Sequence, residues 1–122
     1  MMNDIDPNLE NSTDKIQTIT TDAFNAQVLD APGPIAVEFM SYGCSHCREI
    51  EPILQQVAAR VEPTEKICRV NIAVEPDLGS SYEIQGTPTL IMFLNGRQVG
   101  RIEGPSPTLS SLMTAVTQPF QT

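Results

Sequence analysis

Tryptophan is absent from this sequence of 122 residues, and cysteine, histidine and basic residues are scarce. The three cysteines are too few for the scaffold of several disulfides that stabilises small secreted domains. Fifteen acidic residues against seven basic ones give a net charge of -8 at pH 7, which argues against nucleic acid or an anionic membrane surface as a partner. No apolar run approaches the length of a membrane span. The chain is nevertheless long enough for one domain with its own hydrophobic core.

The acidic residues are concentrated towards the amino-terminal end, where residues 1–30 contain six of them and a single lysine. Because residues 1–14 are polar and almost free of apolar side chains, we expect a disordered acidic leader there and a folded domain over residues 15–122. The leader lacks the basic start and the apolar stretch of a secretory signal. We therefore expect a cytoplasmic protein.

Two of the cysteines, Cys44 and Cys47, lie a helical turn apart between an apolar run and a helix-like pattern. A helix that begins near Cys44 places its sulfur beside unpaired backbone N–H groups and the positive end of the helix dipole, which favour the thiolate. The thiolate is the form that attacks disulfides, and Cys47 lies on the same side of the helix, within reach of a disulfide. His46 adds a positive influence when it is protonated. The pattern predicts redox chemistry at this pair.

A metal site is the main alternative for a Cys-x-x-Cys pair. A structural zinc site normally has four Cys or His ligands, and only Cys68 and His46 remain, so a complete site within one chain is disfavoured. A metal or iron–sulfur site shared between two chains stays open on the sequence alone. A purely structural disulfide is disfavoured because so short a loop constrains the unfolded chain little.

Hydrophobic periodicity divides the domain into strands that alternate with helices, followed by a hairpin. Thr20 or Thr21 is expected to cap the first helix, Asn95-Gly96 to form the hairpin turn, and Pro107 to lie in the first turn of the last helix. The alternation predicts an α/β fold with parallel strands joined by right-handed crossovers and an antiparallel edge. The predicted strands cover residues 16–20, 35–40, 67–72, 89–94 and 98–103, and the helices cover residues 20–29, 44–61, 77–82 and 107–116.

Two further residues interrupt or occupy predicted strands. Glu38 breaks the apolar run over residues 35–40 and is either half-exposed or a buried acid beneath the cysteines, whose pKa desolvation would raise. The sequence does not choose between these interpretations. Cys68 falls in a predicted buried strand, and we expect it to be a structural core residue.

Several motifs stand at fixed separations: Val37-Glu38-Phe39, Cys44 to Cys47, Pro52, Val70-Asn71-Ile72, Gly86-Thr87-Pro88-Thr89-Leu90, Asn95-Gly96 and Gly104. With these motifs the chain resembles the thioredoxin family from about Ile16 to Val116. The resemblance implies the thioredoxin fold, with a central mixed β-sheet flanked by helices on both faces. It also implies a thiol-disulfide oxidoreductase that requires no metal or organic cofactor.

The resemblance further implies roles for individual residues. Cys44 is expected to be the exposed nucleophile and Cys47 the buried resolving thiol. Glu38 is expected to handle the proton of Cys47, and Arg69 stands where a lysine often pairs with that acid. The residues implied for substrate binding are Thr87 and Pro88, with a cis peptide bond between them, together with Tyr42, Gly43, Ser45 and Gly104.

The sequence Gly43-Cys44-Ser45-His46-Cys47 departs from the family's usual Trp-Cys-Gly-Pro-Cys, and His46 is similar to the histidine of DsbA-type oxidases. We expect a disulfide reductase that acts on protein disulfides and is recycled by a thioredoxin reductase or another redox partner. The alternatives are a disulfide oxidase or isomerase, and a non-catalytic binding or chaperone module. We also expect a monomer.

Overall fold

The computed structural model describes residues 14–121, in which five strands form a single sheet. The predicted leader lies outside the described residues except for Asp14. The bounds of the strands are close to those expected from hydrophobic periodicity. The strands are β1 (Gln17–Thr18), β2 (Pro34–Met40), β3 (Lys66–Asn71), β4 (Thr89–Leu94) and β5 (Arg97–Glu103).

The helices connect the strands at the predicted places. The helices are α1 (Thr21–Phe24), which continues as a π-helical segment (Asn25–Leu29), α2 (Ser45–Val61), α3 (Pro76–Ser81) and α4 (Leu109–Thr117), which a 3₁₀ turn follows (Gln118–Phe120). Thr20 is the N-cap residue of α1 but makes no capping hydrogen bond through its side chain. The prediction that Pro107 lies inside the last helix is wrong. Thr108 caps α4 instead, because its hydroxyl accepts a hydrogen bond from the N–H of Ser111 and so satisfies one of the free donors of the first turn.

The sheet has the strand order β1-β3-β2-β4-β5 and is mixed, as expected. Strands β1 and β2 run parallel to β3, and the hairpin pairs β4 with β5 in antiparallel orientation. The expectation of parallel pairing is wrong for β4, which runs antiparallel to β2. The six residues of α3 span about 9 Å, so α3 is not a crossover helix that runs the length of a strand of about 20 Å. The chain therefore re-enters the sheet at the edge where β3 ended.

Side chains alternate between the two faces of the central strands, so that each face has its own core. Ala36 and Ile67 pack under α2 and α4, whereas Val37 and Cys68 pack under α1 and α3. Since Glu38 follows Ala36 by two residues, it points to the α2 face. The predicted architecture, a mixed sheet flanked by helices on both faces, is confirmed.

The hairpin between β4 and β5 turns at Asn95 and Gly96, as predicted. Both residues have positive φ angles, 52° and 83°, which a two-residue turn of this hand requires. A side chain at Gly96 would overlap the backbone carbonyl oxygen of Leu29. Glycine is therefore required at this position for two independent reasons.

Candidate active site

Cys44 caps the amino-terminal end of α2, just after the carboxyl end of β2. Its backbone is extended, with φ -88° and ψ 112°, and its Sγ accepts a hydrogen bond of 3.1 Å from the backbone N–H of Cys47. A cysteine here takes the place of the usual Ser, Thr, Asp or Asn cap. The sulfur thus satisfies one of the free N–H groups of the first turn, and a negative charge on it is favoured by the helix dipole.

The second contact of Cys44 is with the loop that precedes β4. As a thiol, Cys44 donates to the backbone carbonyl oxygen of Thr87 over 3.3 Å. Burial raises the pKa of Cys44, but hydrogen bonds from the Cys47 side chain and from the backbone N–H groups of Cys47 and His46 outweigh it, so the pKa lies below its ordinary value. Cys44 is also partly exposed. An accessible sulfur that ionises readily is the form suited to attack on a disulfide.

Cys47 has the opposite environment. Its side chain is 2% exposed, and burial, together with the neighbouring Cys44 side chain, raises its pKa to about 11. Both cysteines are present as free thiols. The two sulfurs of the motif are therefore chemically unequal, with one poised to ionise at the surface and the other held protonated beneath it.

Three predicted substrate-binding residues, Thr87, Pro88 and Gly104, come together beside Cys44. The Thr87–Pro88 peptide bond is cis, as the resemblance implied, and the carbonyl oxygen of Pro88 accepts a hydrogen bond of 2.9 Å from the N–H of Gly104. Gly104 has a φ of 58°, a conformation that suits glycine. This pairing extends the β4–β5 ladder towards the cysteines and fixes the loop edge next to them.

His46 contacts the loop that follows β5, close to Gly104. Its Nε2 lies 3.0 Å from the carbonyl oxygen of Pro105. A hydrogen bond between these two atoms requires that Nε2 carries the proton, because a carbonyl oxygen can only accept. The ring therefore joins the first turn of α2 to the loop after β5. The other predicted contact residues, Tyr42, Gly43 and Ser45, are exposed around Cys44, and Tyr42 is 68% exposed.

Glu38 is fully buried, with 0% of its surface exposed. Neither of its carboxyl oxygens has a hydrogen-bond partner among the described residues. Burial, followed by the negative charge of Glu51, raises its pKa to about 8, although the positive charge of Arg69 opposes the shift. Of the two interpretations left open by the sequence, the buried acid is the one that the structure has.

Arg69 does not pair with Glu38, so this implication of the resemblance is wrong for this chain. Its Nη2 lies 2.6 Å from Oε2 of Glu51, and its Nη1 lies 3.3 Å from Oδ2 of Asp14. Neither carboxylate is among the site residues predicted from the sequence. For Glu51 a signal existed, because it lies four residues after Cys47 and so one helical turn further along the same face of α2. For Asp14 none existed, since it precedes β1 and is distant in sequence.

Cys68 lies in β3 with 0% of its surface exposed, as expected for a core residue. It packs on the α1 and α3 face of the sheet, which is the face opposite α2. Burial also raises the pKa of its thiol. The third cysteine is thus separated by the sheet from the helix that carries Cys47.

Among residues 14–121, no three His, Cys, Asp or Glu side chains converge in a way that could hold a metal ion. Within the same residues, no helix has both the length and the apolar character needed to cross a lipid bilayer.

A dithiol of unequal acidity at a helix start, next to a cis-proline loop, defines the class of thiol-disulfide oxidoreductases. The sequence model of the thioredoxin family, described as Thioredoxin, matches residues 15–118, and the chain belongs to this family. It is a thioredoxin-type thiol-disulfide oxidoreductase. Membership implies, in general terms, disulfide substrates and recycling by a reductase.

Individual relatives agree with this assignment. The chain is 33% identical to Thioredoxin 1 of Nostoc sp. over 78% of its own length and 91% of the relative's. It is 34% identical to a thioredoxin of Rickettsia bellii, over 66% of this chain and 76% of that protein. It is 33% identical to a thioredoxin of Pseudomonas aeruginosa, over 69% and 78% of the two chains.

Proposed function

We propose that the protein reduces protein disulfides, with Cys44 as the attacking thiolate and Cys47 as the resolving thiol. The observation that carries this proposal is the contrast between the two sulfurs. Cys44 is partly exposed and its pKa is lowered, whereas Cys47 is buried with a pKa of about 11. The order of attack follows, since only the more acidic and accessible sulfur meets a protein substrate as a thiolate.

The reaction proceeds through a mixed disulfide. The Cys44 thiolate attacks one sulfur of the substrate disulfide, a Cys44–substrate bond forms, and the other substrate sulfur leaves as a thiolate that takes a proton from water. Cys47 then loses its proton and attacks Cys44, which releases the second substrate thiol. The substrate gains two electrons, and the Cys44–Cys47 pair becomes a disulfide.

Glu38 is the group that we assign to the Cys47 proton. Its carboxyl is buried on the face of the sheet that α2 covers, and a pKa of about 8 allows it to exchange a proton near neutral pH. At neutral pH the protonated form of Glu38 predominates and does not repel the Cys44 thiolate, while the minor ionised form is the one that accepts the proton of Cys47.

Substrate peptide is expected to bind along the loop edge beside Cys44. Thr87, Pro88 and Gly104 provide an ordered backbone there, and an extended peptide can pair with such an edge through main-chain hydrogen bonds. The exposed residues Tyr42, Gly43 and Ser45 border the same sulfur and complete the contact surface. Because no tryptophan covers Cys44, Tyr42 is the large aromatic side chain of this surface.

For the direction of electron flow, we propose that the protein reduces its substrates and that a thioredoxin reductase then reduces the Cys44–Cys47 disulfide. We also propose that the protein acts as a monomer in the cytoplasm. The reduction potential of the pair, measured against glutathione buffers of known ratio, tests this direction. A value near −270 mV, typical of a general reductant, supports the reductase. A value about 60 mV higher, a hundredfold change in equilibrium for two electrons, instead supports an oxidase or isomerase in which His46 favours the reduced pair.

The assignment of the two cysteines is tested by trapping. In the Cys47→Ser variant the mixed disulfide cannot be resolved, so we expect covalent adducts with substrate proteins that dithiothreitol releases. A Cys68→Ala background removes the third thiol, and Cys44→Ser is the matched control that should form no adduct. If adducts form in the Cys44→Ser control and not in the Cys47→Ser variant, the order of the two sulfurs is reversed.

A further inference from the structure

Glu38 and Arg69 are partners in register on the parallel strands β2 and β3. Both side chains point to the α2 face, because Ala36 and Ile67, two residues earlier in each strand, belong to the core under α2. Arginine is long enough to pair with a carboxylate at a neighbouring position of this kind. The buried carboxyl of Glu38 nevertheless has no hydrogen-bond partner among residues 14–121.

The guanidinium of Arg69 is occupied elsewhere. Its shortest contact is the 2.6 Å ion pair with Glu51, and Asp14 lies 3.3 Å away on its other nitrogen. The same nitrogen, Nη1, also donates to the carbonyl oxygen of Ile16 over 3.1 Å. Gln55 links the two carboxylates, since its Nε2 lies 2.6 Å from Asp14 and 2.9 Å from Glu51. The arginine is therefore held by two acids, one from α2 and one from the segment before β1.

We propose that Glu51 is a positioning residue for Glu38: by binding Arg69 together with Asp14, it keeps the guanidinium away from the buried carboxyl and leaves Glu38 without an ion-pair partner. This inference rests on the proposed role of Glu38 as the group that exchanges a proton with Cys47. Burial raises the proton affinity of Glu38, and on this proposal that affinity depends also on the partly buried ion pair between Glu51 of α2 and Arg69 of β3.

The charges around Glu38 are consistent with this role. Burial raises the pKa of Glu38 most, the charges of Glu51 and Cys44 from the α2 region add to this effect, and Arg69 from β3 opposes it. On the other side of β2, the register partner of Glu38 is the apolar Leu90. A guanidinium that turned from Glu51 to Glu38 would bring a positive charge within a few ångströms of the carboxyl, which lowers a carboxyl pKa by about one to three units.

The test is a carboxyl titration of the reduced protein by NMR with ¹³C-labelled glutamate, in which the Glu38 signal is assigned by its loss in a Glu38→Gln variant. In Glu51→Gln we expect the midpoint of Glu38 to fall by at least about one unit, a tenfold increase in its acid dissociation constant. Glu49→Gln is the matched control, since Glu49 is an exposed acid two positions earlier on α2. A midpoint that falls no further in Glu51→Gln than in Glu49→Gln would overturn the proposal.

A second comparison separates positioning from simple charge repulsion. If Glu51 holds Arg69 away, then Arg69→Gln raises the Glu38 midpoint more in the Glu51→Gln background than in the wild type. Equal effects in both backgrounds mean that Glu51 acts through its own charge alone, and the positioning role is then wrong. These titrations use the resting protein, whereas the proposed function is tested by trapped adducts, so failure of one is distinguishable from failure of the other.

Discussion

The stability of a reduced Glu38→Gln variant, measured relative to the reduced wild type, is expected to increase as the pH rises. Glu38 is fully buried, its two oxygens lack hydrogen-bond partners within residues 14–121, and burial raises its pKa from 4.5 to about 8. An ionised carboxylate in such a place is costly. Glutamine has nearly the same shape but cannot ionise, so whatever its amide costs is the same at every pH.

The size and sign of the effect follow from linkage between proton binding and folding. Because the folded protein binds the proton more tightly than the unfolded chain, the contribution of Glu38 to stability is fully present below pH 4.5. It is lost progressively as the pH rises through 8. Relative to low pH, the contribution of Glu38 to the free energy of unfolding falls by about 1 kcal/mol at pH 5 and by about 4 kcal/mol at pH 8. The difference in stability between Glu38→Gln and wild type should therefore change by about 3 kcal/mol over this range.

Urea denaturation of both reduced proteins at a series of pH values measures this difference. Glu65, whose pKa burial raises to about 7, destabilises the protein in the same direction over an overlapping range. It is present in both proteins, so its effect cancels in the comparison. A difference in stability that is the same at pH 5 and pH 8 would refute the reasoning, because it would mean that Glu38 has an ordinary pKa.

Two other predictions concern the cysteines and the hairpin. Iodoacetamide should alkylate Cys44 at pH values well below those at which Cys47 reacts, since the pKa of Cys47 is about 11; peptide mapping of the reduced protein against pH checks this, and equal rates for the two thiols would contradict it. Gly96→Ala should destabilise the protein by about 2 to 4 kcal/mol, through positive φ and overlap with Leu29, as judged by urea denaturation. Gly33→Ala, with a φ of 86° and open space around it, should cost only about 1 kcal/mol, and an equal loss in both variants would remove the overlap as a cause.

Much of the fold could be predicted because its signals are local. The 3.6-residue spacing of Ile50, Leu54 and Val57 predicted α2, and the apolar run of β2 predicted a strand covered on both faces. Asn95-Gly96 predicted the hairpin for the same reason, since its turn conformation depends on those two residues. The orientation of β4 could not be obtained in this way, because it depends on the path of the whole connection between β3 and β4.

The candidate site likewise has some parts that could be predicted from short motifs and others that could not. Cys44 and Cys47 were identified from their spacing and from the start of a helix, and the motifs around Thr87, Pro88 and Gly104 pointed to the neighbouring loop. The trapping experiment tests the roles of Cys44 and Cys47. The roles assigned to Thr87, Pro88, Gly104 and His46 stay predictions, as does the leader over residues 1–14, whose last residue, Asp14, pairs with Arg69.

The sequence by itself determined most of the elements, the position of the dithiol and the family, because each is carried by short motifs that can be read along the chain. Only the tertiary structure decided that Glu38 is buried without a partner and that Arg69 binds Glu51 and Asp14 instead. Arg69 can pair with three acids, Glu38, Glu51 and Asp14, and each of these acids lies in a different segment of the chain. The choice among them depends on distances and desolvation that exist only after the strands and α2 have packed together.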